Sequence, residues 1–198
     1  MLSIDIDKEL SDNIFVYYEV RNFYQNHRRY FSSKSSSQLK GEDLGSGDLS
    51  ACDPVVKNKD LWTKTSIGGT PLDPEKVAFP CGMMARSIFN DTFALYKLDS
   101  SGVKAADPIE ISDKDIAWPD DKKFKYKNLP SSEMMARQWI DIENERFIVW
   151  MRAAATPTFR KLWGVVKGLP LAEGKYQLEI DNSKLFRFLA ARVECWRI

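Results

Sequence analysis

Residues 144–166, NERFIVWMRAAATPTFRKLWGVV, constrain the fold more than any other part of the chain. Phe147, Trp150, Met151 and Ala154 recur at helical spacing, which puts their side chains on one face. Asn144 suits an N-cap, because its side-chain oxygen can accept from a free N–H of the first turn, and Glu145 suits that turn. Pro157 disfavours the helical region for Thr156, so the helix is expected to stop there. From Thr158 the period changes to two. Phe159, Lys161, Trp163 and Val165 alternate with Arg160, Leu162, Gly164 and Val166, as in a strand. The segment predicts a short helix, a Pro-marked turn and a strand, and its aromatic residues make it an anchor for a core. Arg152, Arg160 and Lys161 lie among these apolar residues, and burial of their stems requires partners for their charged heads.

A chain of 198 residues suffices for one domain with a real core, or for two small ones. Its 6 Trp, 7 Tyr and 11 Phe suit a β-rich fold. The net charge of +1 gives no electrostatic case for nucleic acid or an anionic membrane surface. No apolar run approaches the roughly 20 residues of a spanning helix. The N-terminus, MLSIDIDKELSDN, lacks the basic region and apolar stretch of a signal peptide. Taken literally, the sequence predicts a soluble, cytosolic chain. Three cysteines are too few for a disulfide-dense scaffold, and their wide spacing with one His does not make a zinc site.

Residues 14–20, IFVYYEV, predict a strand. Residues 22–30, NFYQNHRRY, mix aromatics, amides and cations. Such a mixture can mark single-stranded nucleic-acid binding, which the charge balance argues against. His27 has no Ser or Cys nucleophile nearby and fits a structural hydrogen-bonder better than a catalyst. Residues 32–47 are Ser- and Gly-rich and predict a solvated loop. The whole stretch 32–80 lacks periodicity, and an insertion this long needs a staple or is disordered. Cys52 and Cys81 bracket its second half, which suggests the staple. Pro80 and Gly82 around Cys81 imply a tight turn. Strands are expected at 92–98 and 174–180, and a short one at 109–111. A turn starts near 116–119, the charged residues 120–127 predict a solvated surface, and a helical turn is expected around Met134 and Met135. Residues 185–198 show no clear period. Asn90-Asp91-Thr92 is the one N-glycosylation sequon.

No GxGxxG, Walker loop or nucleophile elbow is present. Carboxylate neighbours such as Asp141 with Glu143, or Asp120 with Asp121, are explained as surface charge. No constellation meets the geometric roles of catalysis, so no catalytic, cofactor-binding or metal-ligating residue is assigned.

Several of these blocks together resemble one family. They are YYEVRNFYQNHRRY (17–30), Ser37-Gln38-Leu39, PCGMMARSIFNDTF (80–93), IAWPDDKKFK (116–125), NERFIVWMRAAATPTFRKLWG (144–164) and GKYQLEI (174–180). Their identity and order are similar to the Cdc-fifty/Lem-three family, accessory β-subunits of the lipid-flipping type IV P-type ATPases. The resemblance implies a mainly β chain: an antiparallel β-sandwich ectodomain with short helices and long insertions, stapled by disulfides and N-glycosylated. It implies a domain over 1–183, with the stapled insertion at about 32–80, and a divergent tail over 184–198. It implies a Cys52–Cys81 disulfide and a glycan on Asn90. Family members have two transmembrane helices, no active site and no cofactor. The ATPase catalytic subunit is the implied partner, with membrane phospholipid engaged through the complex. The implied location is the secretory-pathway membrane (endoplasmic reticulum, Golgi, plasma membrane), with the domain on the lumenal side.

The chain departs from that family in lacking both membrane helices. Its ending, KLFRFLAARVECWRI, differs from the family's, which puts the last strands of the sandwich in doubt and leaves Cys195 without a counterpart. Asn22, Tyr24, His27, Arg28, Arg29, Trp150, Arg152, Phe159 and Arg160 are candidates for structural or partner contact. The segments 22–30 and 144–164 are expected to form the heart of the sandwich. Arg28, Arg29, Arg152 and Arg160 are expected to pair with buried carboxylates or carbonyls before any partner. Two other classes remain open: a free binding domain derived from that family, and a hydrolase using His27 with a carboxylate.

Overall fold

A computed structural model describes residues 1–45, 47, 49–181 and, for the backbone alone, 192–197. The fold is mainly β, and the chain divides into two compact units.

The first unit comprises Met1–Arg21, Phe89–Ile116 and Arg160–Ile198, and it carries the two sheets. One sheet orders β1 (Leu2–Ile6), β6 (Gly174–Asp181) and β3 (Thr92–Lys97), with both pairings antiparallel. The other orders β4 (Ile111–Ser112), β5 (Phe159–Val166), β2 (Ile14–Val20) and β7 (Arg192–Arg197). Period-two patterning drives this arrangement. Val16, Tyr18 and Val20 of β2, Phe93 and Leu95 of β3, and Tyr176 and Leu178 of β6 are all buried. Phe93 of one sheet meets Trp163 of the other edge-on, with ring centroids 4.7 Å apart, and Tyr18 stacks on Phe89 at 3.8 Å. The two sheets therefore form an antiparallel sandwich with an aromatic seam.

Three details of this unit differ from the sequence reading. β1 was not expected, although Leu2, Ile4 and Ile6 alternate with Ser3 and Asp5; the run is short, and its partner β6 lies at the other end of the chain. In β5 the alternation changes phase. Trp163 is 5% exposed, but Val166, at 2%, is buried rather than Val165. Between them Gly164 lies so close to Ser112 that a Cβ would come within 2.7 Å of its carbonyl oxygen. The tail also supplies a strand, since β7 pairs with β2 in the register Val16↔Cys195. The remaining tail residues and the Cys195 thiol lie outside the described residues.

The second unit comprises Asn22–Ile88 and Ala117–Phe159. It holds the helices α1 (Arg28–Ser32), α2 (Ser36–Leu39), α3 (Met83–Arg86), α4 (Pro119–Phe124), α5 (Ser131–Arg137) and α6 (Glu145–Met151). The segments 22–30 and 144–158 thus build this unit rather than the heart of the sandwich. Phe147, Trp150, Ile142, Met84 and Phe79 form its core, each at most 2% exposed.

Asn144 caps α6, its Oδ1 accepting from the N–H of Arg146 and Phe147. The helix nevertheless ends at Met151, five residues before the Thr156 stop inferred from Pro157. Tertiary partners draw the chain out: Ala154 N–H donates to Gln25 Oε1, and Phe23 N–H donates to Pro157 O. In the Ser-rich stretch read as a loop, Ser35 caps α2 by accepting from Gln38 N–H, and Gln38 and Leu39 are buried. The charged stretch 120–127 is not uniformly solvated. Asp121 is 4% exposed and pairs with Lys125 one turn later, and Tyr126 is buried, which pushes its phenol up to about 12.

Candidate functional site

The staple is built from both sides. Cys52 ends a 3-10 turn (Ser50–Cys52), and Cys81 precedes Gly82, whose φ of +103° favours glycine. A Cβ on Gly82 would collide with the Ser33 carbonyl oxygen. The cysteines are joined by a disulfide with Cα atoms 5.6 Å apart, inside the usual span. Both are buried. The Ser33 hydroxyl sits between the strands of this knot: its oxygen accepts from Met83 N–H, and its hydrogen faces the carbonyls of Cys52 and Asp53 at 3.1 and 3.0 Å. Gln38 spans the same region, donating to Ala78 O and accepting from Cys81 N–H. The bridged loop also has a core of its own. Val55, Leu61, Leu72, Ala78 and Phe79 are buried, so the stretch without sequence periodicity is ordered by packing as well as by the staple.

Two further buried amides organise the unit. Gln138 accepts from Leu129 N–H and donates to Asn128 Oδ1 and Ile140 O. Gln25 holds the exit of α6, as described above. Asp141 accepts from Asn128 Nδ2 and from Glu143 N–H, so the Asp141 and Glu143 pair closes a turn.

The segment 22–30 divides by side. Tyr30 and Gln25 point inward; Phe23 packs on Tyr30 and Trp150 with centroids at 5.3 and 5.8 Å. The Tyr30 hydroxyl is 2.7 Å from Ser87 Oγ, and burial pushes its phenol up to about 12. Asn22, Tyr24, His27, Arg28 and Arg29 are exposed, Tyr24 at 58%. This corrects the expectation that Arg28 and Arg29 pair with buried groups. Among the described residues neither has an ion-pair partner, because the turn that points Gln25 and Tyr30 inward puts them outside. His27 precedes α1 and gives it no side-chain cap. No carboxylate lies within ion-pair reach of it among the described residues, so the constellation required of a His27 hydrolase is not assembled.

The candidates from the anchoring segment have structural surroundings. Trp150 is fully buried, and its Nε1–H donates to Met84 O at 2.9 Å. Phe159 packs 6.4 Å from the Trp150 ring centroid. The Arg152 guanidinium lies 3.0 Å from the centroid of the exposed Trp118 ring. Arg160 of β5 donates to Glu19 of β2 at 2.9 Å, and Arg21 donates to the same carboxylate at 2.7 Å. Glu19 is buried while both arginines are about half exposed.

The bonds from Arg21 and Arg160 hold the Glu19 carboxyl below the usual carboxylate range. A depressed folded-state pKa stabilises the fold above the unfolded-state value, and that stabilisation is lost as pH falls through the folded-state value. Glu19→Gln is therefore expected to destabilise the chain at pH 7 and to lose less further stability on acidification. Urea unfolding at pH 7 and pH 3 measures this. A constant difference between wild type and variant would rule out the linkage.

Asn90 is half-buried, and Thr92, the hydroxyl residue of its sequon, is exposed at the start of β3. Among the described residues, no group of three His, Cys, Asp or Glu side chains is placed to hold a metal ion, and no helix is long and apolar enough to cross a membrane.

Comparison with known proteins matches residues 1–187 to the LEM3 (ligand-effect modulator 3) family / CDC50 family. The chain is 33% identical over 214 residues to Cell cycle control protein 50A of Rattus norvegicus, covering 93% of this chain and 61% of that protein. It is 37% identical over 175 residues to ALA-interacting subunit 3 of Arabidopsis thaliana, covering 83% and 44%. It is 30% identical over 213 residues to the phospholipid-transporting ATPase accessory subunit CDC50 of Chaetomium thermophilum, covering 92% and 47%. The chain thus spans about half the length of the curated relatives it matches.

Proposed function

The chain belongs to the LEM3/CDC50 family, and from that premise we propose that it is the extramembrane domain of a non-catalytic accessory subunit of a type IV P-type ATPase that moves phospholipid. The observation that carries this reading is the match over residues 1–187, which runs through both units, together with a relative named as a phospholipid-transporting ATPase accessory subunit. In this role the chain binds and stabilises the catalytic subunit through protein surfaces and performs no chemistry. Asn22, Tyr24, His27, Arg28 and Arg29 are the candidate contact residues, because they are exposed on a turn whose inner side is fixed by Gln25 and Tyr30. Trp150, Phe159, Arg152 and Arg160 act as scaffold.

The proposed location is the lumenal side of the secretory-pathway membranes, for a domain over residues 1–183 with a divergent tail after it. The buried Cys52–Cys81 disulfide supports this, since such bonds persist in oxidising compartments. The test is co-purification of the full-length gene product with a type IV P-type ATPase from membranes. Recovery of the two as a stoichiometric complex, with the ATPase retained in the endoplasmic reticulum when the gene is silenced, is the expected result. Independent trafficking and activity of every such ATPase in those cells would remove the proposal.

A second measurement addresses orientation. Asn90 is expected to carry a glycan in eukaryotic cells, because its sequon sits at a strand start with Thr92 accessible. Endoglycosidase treatment should raise the mobility of the wild type and leave Asn90→Gln unchanged. Absence of a shift in protein shown by protease protection to be lumenal would count against it.

A further inference from the structure

We propose that the turn at residues 22–34 docks an acidic segment of the catalytic subunit, a stretch of chain presenting Asp or Glu side chains. The inference deepens the accessory-subunit reading and rests on it. Between Glu19 and Glu42 the sequence has no carboxylate residue but five cations, Arg21, Arg28, Arg29, Lys34 and Lys40. Arg21 is taken up by Glu19. Among the described residues, Arg28, Arg29 and Lys34 have no carboxylate partner. Tyr30 is the buried position of α1, and the helical step of about 100° spreads Arg28, Arg29 and Phe31 over the rest of its circumference, all exposed. Lys34 is half-buried beside Phe31, its Nζ 4.3 Å from the ring centroid. Burial pushes its ammonium below the usual value, as for a charge that loses water without gaining a counter-charge.

The segments packed against this turn do not neutralise it. Residues 52–53, 83–87 and 154–157 hydrogen-bond to it, and they carry one carboxylate, Asp53, against Arg86. Asp53 meets Ser33 through its carbonyl, and among the described residues no ion pair joins its carboxylate to these cations. Exposed Tyr24 and Phe31 set aromatic rings among the charges, and Arg with aromatic residues is the composition of protein interfaces. Arg28, Arg29 and Lys34 are fewer than the cluster of about 4–8 cations that marks a lipid-binding basic segment, and anionic lipid is concentrated in the cytosolic leaflet, away from the proposed lumenal side. A polypeptide of opposite charge is the complementary occupant, because the arginine fork matches a carboxylate bidentately.

For the test, the full-length gene product is co-purified with a type IV P-type ATPase in mild detergent and treated with a water-soluble carbodiimide, which joins an amine to a carboxylate in contact with it. Peptide mapping is expected to recover Lys34 linked to Asp or Glu of the ATPase. Arg28→Lys and Arg29→Lys, which keep the charge and add an amine, are expected to give further links. Arg28→Glu with Arg29→Glu is expected to lower the ATPase recovered by about ten-fold. These side chains are exposed, so the reversed variant should melt with the wild type; if it does not, the Lys34 links of the wild type decide. Failure of the wild type to co-purify would defeat the accessory-subunit reading and this inference with it. A wild-type complex without links to Lys34, or undiminished recovery with the reversed variant, overturns this inference alone. Charge-sensitive binding to phosphatidylglycerol vesicles, with the complex intact in the reversed variant, would show a lipid surface and equally overturn it.

Discussion

Trp150→Ala is expected to lower the unfolding free energy by about 3–5 kcal/mol, the range for truncating a large buried aromatic residue. Trp150 is 0% exposed in the core of the helical unit, between Phe23 and Phe159, so the neighbours cannot collapse into the space without breaking their own contacts. Truncation also removes a donor to the Met84 carbonyl. Trp150→Phe separates the two effects. It keeps most of the ring volume and leaves that carbonyl with the Ser87 hydroxyl as its remaining donor, so a loss of about 0.5–1.5 kcal/mol, that of one hydrogen bond, is expected. Denaturant titration of both variants measures the difference. A loss under about 1 kcal/mol for the alanine variant would mean that this core is not closely packed around the indole.

Removing the staple is the second large effect. Cys52 and Cys81 are 29 residues apart in sequence, and closing a loop of that length in the unfolded chain is worth roughly 3–4 kcal/mol by loop entropy. That is a large part of the ~5–15 kcal/mol by which domains are usually stable. The paired variant Cys52→Ala/Cys81→Ala is the appropriate probe, because both sites are buried and serine would add unsatisfied hydroxyls. The loss is expected in denaturant titrations, against oxidised wild type. The cores formed by Val55, Leu61, Leu72 and Phe79 oppose it. A loss below about 1 kcal/mol would show that these contacts already order the loop in the unfolded ensemble.

The elements legible in the sequence are those whose signals are local. Strand β2 follows from its β-prone residues, β3 and β6 follow from alternation, and the start of α6 follows from its Asn144 cap. What was not legible is set by distant partners. The end of α6 is fixed by Gln25, 129 residues earlier in the chain. Gln25, Gln38 and Gln138 are each fully buried, yet no pattern in the sequence distinguishes a buried glutamine from a surface one. Their signal is the unfilled hydrogen-bonding of irregular backbone, which appears only once the loops are placed. The phase change in β5 is a matter of close approach between Gly164 and Ser112, again a contact between segments far apart in sequence. For the candidate site, residue types alone could not show on which side of the turn Arg28 and Arg29 would fall. The disulfide was suggested by position and implied by family resemblance.

The pairing of β1 with β6 joins Leu2 to Leu178, so β1 meets its partner only once residues 174–181 have been made. At a translation rate of about 5–20 residues per second, the nascent β1 waits on the order of 10–30 s. During that wait Leu2, Ile4 and Ile6 have no sheet to join, and β2 has only part of its own. The helical unit, whose segments end at Phe159, can be complete before β6 has been made. Folding on the ribosome is therefore expected to begin with the helical unit, while β1 remains a client for chaperones until β6 is available.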